Sequence, residues 1–269
     1  MLAKARELFK EAEDKKIAIG AFNVYNLETI QAVAEAAEEL RSPVIIETTP
    51  KAIEYAGLNY LSTLIKKFAS EIEVPVILHL DHGLTIEHAE ECIKAGYTSI
   101  MVDGSHLSLE ENIALTQRAA EIAHKNKIWI EGELGGLTGE VRLTEPREVP
   151  RFVKETKIDS LAVSLGSKHG HAKDEKLDLG LLDRIREKTH LPLVLHGSSG
   201  VPDGDIKGAI ARGIVKINVD TLLREAFTKA VSESLKRQFN DPRVYLKNAK
   251  EAMKNIAKER ILLFRSLYV

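Results

Sequence analysis

The sequence of 269 residues predicts a (β/α)8 barrel of the TIM class, with an N-terminal helix before the barrel and a C-terminal helical extension after it. Eight short apolar runs alternate with longer segments of helical periodicity. Successive runs start roughly 30 residues apart, the length of one strand, one helix and two short loops. Most runs are apolar throughout, as expected for parallel strands that are covered on both faces. Eight such repeats close most economically into a barrel, so we expect residues 1–269 to form a single barrel domain.

The predicted strands are the apolar runs themselves. In order, they are IAIGAFNV from Ile17, PVIIETT from Pro43, VPVILHLDH from Val74, SIMVDGS from Ser99, IWIEGELG from Ile128, SLAVSLG from Ser160, LPLVLHGSS from Leu191 and IVKINVDT from Ile214. An open doubly wound sheet is the alternative architecture. Such sheets often carry a GxGxxG fingerprint, but none follows the first run, and the phosphate-loop pattern GxxxxGKS/T occurs nowhere. Both observations favour the barrel.

Helical segments are predicted between the runs and at both ends of the chain. After Asn26, apolar residues recur at helical spacing as far as Leu40, and asparagine is a preferred N-cap residue. Ser108 and Glu111 have the spacing of a capping box before another amphipathic segment. Three further helices are expected to cap or flank the barrel, over residues 2–13, 222–239 and 244–264.

Composition excludes several classes of protein. Thirty-eight basic and 40 acidic side chains give a net charge of -2, without the basic face that a nucleic-acid partner requires. The single cysteine, Cys92, excludes an internal disulfide framework and a thiolate-rich zinc site, and it fits a reducing compartment. The first residues lack the apolar core of a signal peptide, and no apolar run approaches the roughly 18 residues of a membrane span. We therefore expect a soluble, cytoplasmic protein without a membrane partner.

Reactive side chains gather at the carboxyl ends of the predicted strands, where barrel enzymes build their active sites. These ends read HLDHG from His79, DGSH from Asp103, EGELG from Glu131, GSKHGH from Gly166, HGSSG from His196 and NVDT from Asn218. Six of the nine histidines lie at or just after these ends. The other three, His88, His124 and His190, lie in helical segments and are expected at the surface.

Three of the strand-end histidines can share one cation. His82, His169 and His196 follow three different strands, and three nitrogen ligands with an open fourth position are typical of catalytic zinc. Strand alternation places His79 and Asp81 on one face and His82 on the other. At the end of a strand, however, both Asp81 and His82 can reach the mouth. Asp81 is then suited to proton transfer beside the metal, whereas His79 is expected to support the inner layer.

A phosphate site is predicted after the seventh and eighth strands. The glycine-serine segment 197–200 precedes Pro202 and a helix, and it exposes backbone N–H groups. Together with segment 218–221 it occupies the loops that most often bind phosphate in barrels of this class.

In this order, the motifs resemble those of the class II, metal-dependent fructose-bisphosphate/tagatose-bisphosphate aldolase family. The resemblance runs from about Leu2 to the DPRVYL segment and the helix beyond it, nearly the whole chain. The motifs that carry it are GAFNVYN at Gly20, HLDHG at His79, SIMVDGSH at Ser99, EGELG at Glu131, SLGSKHG at Ser164, LHGSSGV at Leu195 and KINVDT at Lys216.

The resemblance implies a role for each matching residue. His82, His169 and His196 match three zinc ligands, and Asp81 matches the acid/base beside the first of them. Asn218 matches an asparagine near the reacting carbons. Carboxylates of a second or alternate metal position are matched by Asp103 and Glu133. Positions that contact substrate or its phosphate groups are matched by Asn23, Gly170, Gly197, Ser199, Asp220, Thr221 and Arg243, the last acting across a dimer interface.

Two segments depart from the family pattern. Relatives carry a GGxED or GGEED segment whose acid moves protons on the donor carbon, whereas this chain reads GGLTGEVR from Gly135. Glu140 is the available carboxylate there. The second departure is Thr48-Thr49-Pro50-Lys51, where many relatives have a small phosphate loop containing serine or glycine. Lys51 can supply positive charge in its place.

The resemblance therefore implies reversible aldol cleavage of a ketose 1,6-bisphosphate, fructose or tagatose, to dihydroxyacetone phosphate and glyceraldehyde 3-phosphate. Zinc would be the Lewis acid, so that no Schiff-base lysine is required, and Glu140 would protonate the carbanion. A second divalent ion, a monovalent cation and a homodimer or homotetramer are further expectations. Two alternatives stay open from the sequence: a barrel metallohydrolase whose zinc activates water, and a non-catalytic barrel that regulates a partner aldolase subunit.

Overall fold

The computed structural model of the protein describes residues 2–136, 142–167, 170 and 175–266. Eight parallel strands of this part of the chain close into a barrel in sequence order, and β1 pairs with β8 to complete the ring. The predicted barrel class is confirmed. The strands are β1 Ile19–Asn23, β2 Val44–Thr48, β3 Val76–Gly83, β4 Ser99–Val102, β5 Trp129–Leu134, β6 Ser160–Val163, β7 Leu193–Leu195 and β8 Ile214–Val219.

Eleven helices of the described chain surround or cap the strands. They are α1 Ala5–Lys15, α2 Leu27–Glu39, α3 Pro50–Ala56, α4 Leu58–Glu71, α5 Ile86–Lys94, α6 Leu109–Lys125, α7 Val149–Thr156, α8 Leu179–Arg186, α9 Asp203–Ala211, α10 Thr221–Lys236 and α11 Pro242–Arg265. Within the described ranges, no helix combines the length and the apolar character that a membrane crossing requires.

The predicted N-caps are confirmed, whereas the predicted helix ends differ by a few residues. Capping boxes form at Asn26 for α2 and at Ser108 for α6. The first helix starts later than expected because Leu2 forms a bridge with Val76 and the backbone N–H of Ala3 donates to the Val76 carbonyl. The trailing pair predicted over 222–239 and 244–264 corresponds to α10 and α11.

The N-terminal helix closes one end of the barrel. Its apolar face, with Leu8 and Phe9, packs on inward-facing Ile19 and Ile77 in a cluster separate from the main core. Phe9 also meets the ring of Trp129 edge to face, with the ring centroids 5.2 Å apart. The main core fills the space between the outer faces of the strands and the surrounding helices. Apolar packing therefore seals the end of the barrel at which the strands begin, and the polar residues lie at the other.

Helix α11 is attached along α2 and reaches back to the first strand. Phe264 is buried, and its carbonyl accepts a hydrogen bond from the backbone N–H of Ala18. Along the same contact, Lys254 lies 3.3 Å from Glu35 and 3.1 Å from Glu39. The C-terminal extension is thus packed against the barrel wall.

Candidate active site

A β-bulge in β3 brings two adjacent side chains to the same site. The register between β3 and β4 shifts between Leu80 and Gly83, and His82 has a left-handed φ of 49°. A non-glycine residue rarely adopts this conformation, and such strain is concentrated at functional sites. The next residue, Gly83, has no room for a side chain, because a Cβ there would lie 2.7 Å from the carbonyl oxygen of Met101. The bulge explains how Asp81 and His82, neighbours in a strand, both reach the mouth.

Two imidazoles meet at the centre of the site. Nε2 of His82 lies 3.0 Å from Nδ1 of His196, and the rings are nearly perpendicular at 88°. The other ring nitrogens contact carboxylates: His82 Nδ1 lies 2.7 Å from Asp103 Oδ2, and His196 Nε2 lies 2.8 Å from Glu131 Oε1. Two nitrogen ligands of one tetrahedral zinc ion lie roughly 3.3 Å apart. The spacing of the facing nitrogens therefore fits a shared cation.

The charges around this pair also fit a cation. Burial lowers the pKa of His82, but the charges of Asp81, Asp103 and Glu133 outweigh it and raise the pKa to about 10. Burial and the charge of Asp103 raise the pKa of Glu133 to about 8. Both Glu133 oxygens are buried and have no hydrogen-bond partner among the described residues. Ligand atoms of His82, Asp103 and Glu133, and likewise of Asp81, His82 and His196, lie within 4.8 Å of one another.

Asp81 is held beside the imidazoles by two amides. Asn23 Nδ2 donates to Oδ2 over 2.9 Å, and Asn218 Nδ2 donates to Oδ1 over 3.0 Å. Burial raises the pKa of Asp81, but the positive charges of His82 and Lys216 and the Asn23 hydrogen bond lower it overall. The carboxylate therefore stays ionised and can accept a proton.

A cavity of about 920 Å³ opens above these residues. It is lined on one side by Gly197, Ser198 and Ser199 and by the first residues of α10. The amino end of a long helix favours a bound anion, because its first N–H groups lack partners within the helix. At this end Asp220 is paired with Arg224, whose Nε donates to both of its carboxylate oxygens over 3.0 and 2.9 Å.

The structure brings most of the predicted site residues to this cavity. Its lining includes Asn23, Asp81, His82, Asp103, Gly170, Gly197, Ser199, Asn218, Asp220 and Thr221, and also Lys51. His196 and Glu133 lie buried beneath it. Arg243 lies elsewhere, in the first turn of α11, where it is 90% exposed and paired with Asp241. His169 and Glu140 lie outside the described residues.

A buried polar layer beneath the imidazoles was not predicted. Lys216 is fully buried, and its Nζ donates to Glu131 over 3.0 Å and to Nε2 of His79 over 3.1 Å. Glu47 Oε2 lies 3.6 Å from the same Nζ. Burial lowers the pKa of Lys216, but the carboxylates of Glu131 and Glu47 outweigh it and raise the pKa overall. His79 Nδ1 lies 2.8 Å from Ser99 Oγ, which fits the inner supporting role expected of this histidine.

Comparisons with known proteins identify the family. The sequence model of the family 'Fructose-bisphosphate aldolase class-II' matches residues 3–267 of this chain. This chain belongs to the class II fructose-bisphosphate aldolase family. A fructose-bisphosphate aldolase of Helicobacter pylori (strain ATCC 700392 / 26695) is 38% identical over 304 aligned residues, which cover 99% of each chain.

Solved aldolase structures share the fold of this family member along nearly its whole length. The YdjI aldolase from Escherichia coli K12 superimposes with a TM-score of 0.91 at 38% identity, covering 98% of this chain and 97% of that one. Fructose-bisphosphate aldolase from Campylobacter jejuni gives a TM-score of 0.84 at 26% identity, covering 96% of this chain and 93% of the other. The expected class II aldolase family is therefore confirmed.

Proposed function

We propose that this protein is a class II, metal-dependent aldolase that reversibly cleaves a ketose 1,6-bisphosphate, of fructose or tagatose, to dihydroxyacetone phosphate and glyceraldehyde 3-phosphate. The observation that carries the proposal is the joint placement of His82 and His196, with facing nitrogens 3.0 Å apart, beside the ionised carboxylate of Asp81. Family membership supplies the reaction class, and this geometry supplies the groups that the reaction needs.

The residues that would hold the catalytic zinc ion are His82 and His196, together with His169 from outside the described residues. Asp103 and Glu133 would hold a second divalent ion, and the family resemblance adds a monovalent cation. The chemistry that the catalytic ion supplies is Lewis-acid stabilisation of the negative charge that develops on the ketose when the C3–C4 bond breaks. The carboxylate of Glu133 supports this donor set. Its oxygens accept no hydrogen bond from the described residues, the ring of His82 faces it only at 3.9 Å, and burying a carboxylate without hydrogen bonds is costly.

Asp81 and Glu140 would move the protons. During cleavage, Asp81 accepts the proton of the C4 hydroxyl, and the amides of Asn23 and Asn218 keep its carboxylate fixed while this occurs. Glu140, by family resemblance, returns a proton to the C3 carbon of the donor half. A correctly placed acid/base group contributes on the order of 10²–10⁴ to the rate.

The phosphate groups would orient the substrate. Gly170, Gly197 and Ser199 line the same cavity as Asp220 and Thr221, which lie at the start of α10. One substrate phosphate would bind there, near the backbone N–H groups of the helix. Binding energy from such remote groups aligns the reacting carbons, because it fixes their position relative to Asp81.

The other expectations concern partners and place of action. Arg243 would reach the second phosphate in the site of a neighbouring subunit, so we propose a homodimer or homotetramer. The single, buried cysteine Cys92 fits a reducing compartment, and we place the enzyme in the cytoplasm.

A coupled assay with both epimeric bisphosphates tests the function. We expect triose phosphate to be released from fructose or tagatose 1,6-bisphosphate, to be lost after treatment with EDTA, and to return when zinc is added. Full activity in metal-free protein would contradict the mechanism. Hydrolysis of esters or amides without aldol activity would favour a metallohydrolase, whereas inactivity in both assays would favour a regulatory subunit.

A further inference from the structure

A continuous chain of buried polar contacts runs from the barrel interior to the imidazole of His196. Lys216 Nζ lies 3.0 and 3.3 Å from the two carboxylate oxygens of Glu131. On the other side of this carboxylate, His196 Nε2 lies 2.8 Å from Glu131 Oε1. All three side chains are at most 1% exposed. Water therefore does not compete for these hydrogen bonds, and their directions are set by the protein alone.

The order of donors and acceptors along this chain is fixed. The Lys216 ammonium has only donors, so Glu131 and Nε2 of His79 both accept from it. Because the Glu131 carboxylate is an acceptor, the bond at 2.8 Å requires a proton on His196 Nε2. A neutral imidazole protonated at Nε2 has its lone pair at Nδ1. That nitrogen is the one that faces Nε2 of His82 over 3.0 Å.

We propose that Glu131 is a positioning residue that fixes the Nε2–H tautomer and the ring orientation of His196, and that Lys216 holds Glu131 in place for this purpose. The inference rests on the proposed function, because it takes His196 as a zinc ligand. Carboxylates that accept from the far nitrogen of a metal-binding histidine orient the ring, and their loss typically weakens metal binding about 10- to 100-fold. Neither Glu131 nor Lys216 touches the substrate cavity.

Glu47 offers a matched control within the same layer. It is as buried as Glu131, it faces the same Lys216 ammonium at 3.6 Å, and both of its oxygens lack a hydrogen-bond partner among the described residues. Its described contacts do not include His196. Burial and the charge of Asp81 raise its pKa well above the usual value. Glutamine keeps the size and shape of this side chain. Glu47→Gln thus alters the layer without altering the support of His196.

The test is the zinc affinity of purified Glu131→Gln and Glu47→Gln, measured by competition with a chelator of known affinity. We expect zinc to bind about 10- to 100-fold more weakly to Glu131→Gln and within about twofold of the parent to Glu47→Gln. Equal affinities of parent and Glu131→Gln would overturn the inference. An equal loss in both variants would also overturn it, because the effect would then belong to the layer as a whole.

Glu131→Gln leaves the Lys216 charge poorly paired, and this alone can unfold the protein. The double variant Glu131→Gln/Lys216→Met removes both charges. We expect its metal-free form to melt at a higher temperature than metal-free Glu131→Gln, while zinc binding stays weak. Recovery of the parent's zinc affinity in the double variant would show that Glu131 acts only through stability and would overturn its positioning role. A parent protein that binds no zinc would overturn the proposed metal site itself, and this inference with it.

Discussion

Asp81 is the residue whose surroundings differ most from those of an ordinary strand carboxylate. It is buried, yet two asparagine amides and nearby cationic groups keep it ionised. Each oxygen accepts one amide hydrogen bond and keeps a second lone pair. A proton acceptor therefore stands at a fixed position beside the imidazole pair, without being needed to hold either ring.

We expect Asp81→Asn to lower kcat by about 10²- to 10⁴-fold, because asparagine cannot accept the hydroxyl proton. Zinc content should stay at the parent level, since the histidine nitrogens remain. Steady-state kinetics, together with metal analysis of the same preparation, check this. Parent-level turnover in the variant would instead point to the regulatory, non-catalytic barrel.

At the residue scale, the proposed metal ligands and the catalytic aspartate were easier to predict from the sequence than the buried residues that support them. His82, His196 and Asp81 follow apolar runs and carry evident chemistry. Glu47 and Lys216 interrupt the runs VIIET and IVKINV instead. An ionisable residue inside a parallel strand covered by helices must face the barrel interior, and this signal could have located the buried layer. Which carboxylate contacts Lys216 depends on the register between strands, which the sequence does not specify.

At the scale of elements, the bulge in β3 sets the geometry of the site. Gly83 packs so closely that a Cβ would lie 2.7 Å from the Met101 carbonyl oxygen and 2.8 Å from a Leu80 methyl group. We expect Gly83→Ala to lower the free energy of unfolding by about 1–3 kcal/mol, because the backbone oxygen cannot move aside easily. Urea unfolding of the metal-free protein measures this.

The matched control for this change is Gly204→Ala in α9. A Cβ at Gly204 would meet nothing within 4 Å, and alanine is the better helix former by about 0.5–1 kcal/mol. The control should be neutral or stabilising. Equal stabilities of Gly83→Ala and the parent would mean that the bulge tolerates a side chain, contrary to the close approach.

The bulge itself could not be predicted from the sequence. The motif HLDHG marks a strand end, but strand alternation alone puts Asp81 and His82 on opposite faces.

A second element-scale prediction concerns the attachment of α11 to the barrel. Phe264 is 1% exposed and packs near Gly20 and Phe22 of β1, whereas Leu262 is 55% exposed on the same helix. Phe264→Ala should lower the free energy of unfolding by about 3–5 kcal/mol because it leaves a cavity. Leu262→Ala should change it by less than about 0.5 kcal/mol. Similar denaturation midpoints for the two variants would contradict this placement of the helix.

For the molecule as a whole, the barrel is divided along its axis. Apolar packing under α1 seals one end, a charged layer around Lys216 fills the middle, and the imidazoles and the cavity occupy the other end. The count and order of the strands followed from the sequence, because eight apolar runs at even spacing leave few topologies. The exact helix ends did not, since they depend on contacts such as that between Ala3 and Val76.

Assembly is the property of the whole molecule that the proposed function needs. Arg243 is 90% exposed and lies outside the described lining of its own cavity. Phe239 and Val244 beside it are 40% and 38% exposed, which suits an interface between subunits. We expect light scattering to give a mass of at least twice the 29.9 kDa of one chain.

If the partner's site uses Arg243, Arg243→Ala should raise KM for the bisphosphate about 10- to 100-fold, the effect of losing a charge-assisted hydrogen bond. The mass in solution should not change, since this exposed side chain adds little apolar contact. Arg237→Ala, at the exposed end of α10, is the control and should leave KM at the parent value. If the protein is a monomer in solution and Arg243→Ala leaves KM unchanged, phosphate recognition lies entirely within one chain. Lys51 on the cavity wall would then be the cation to test.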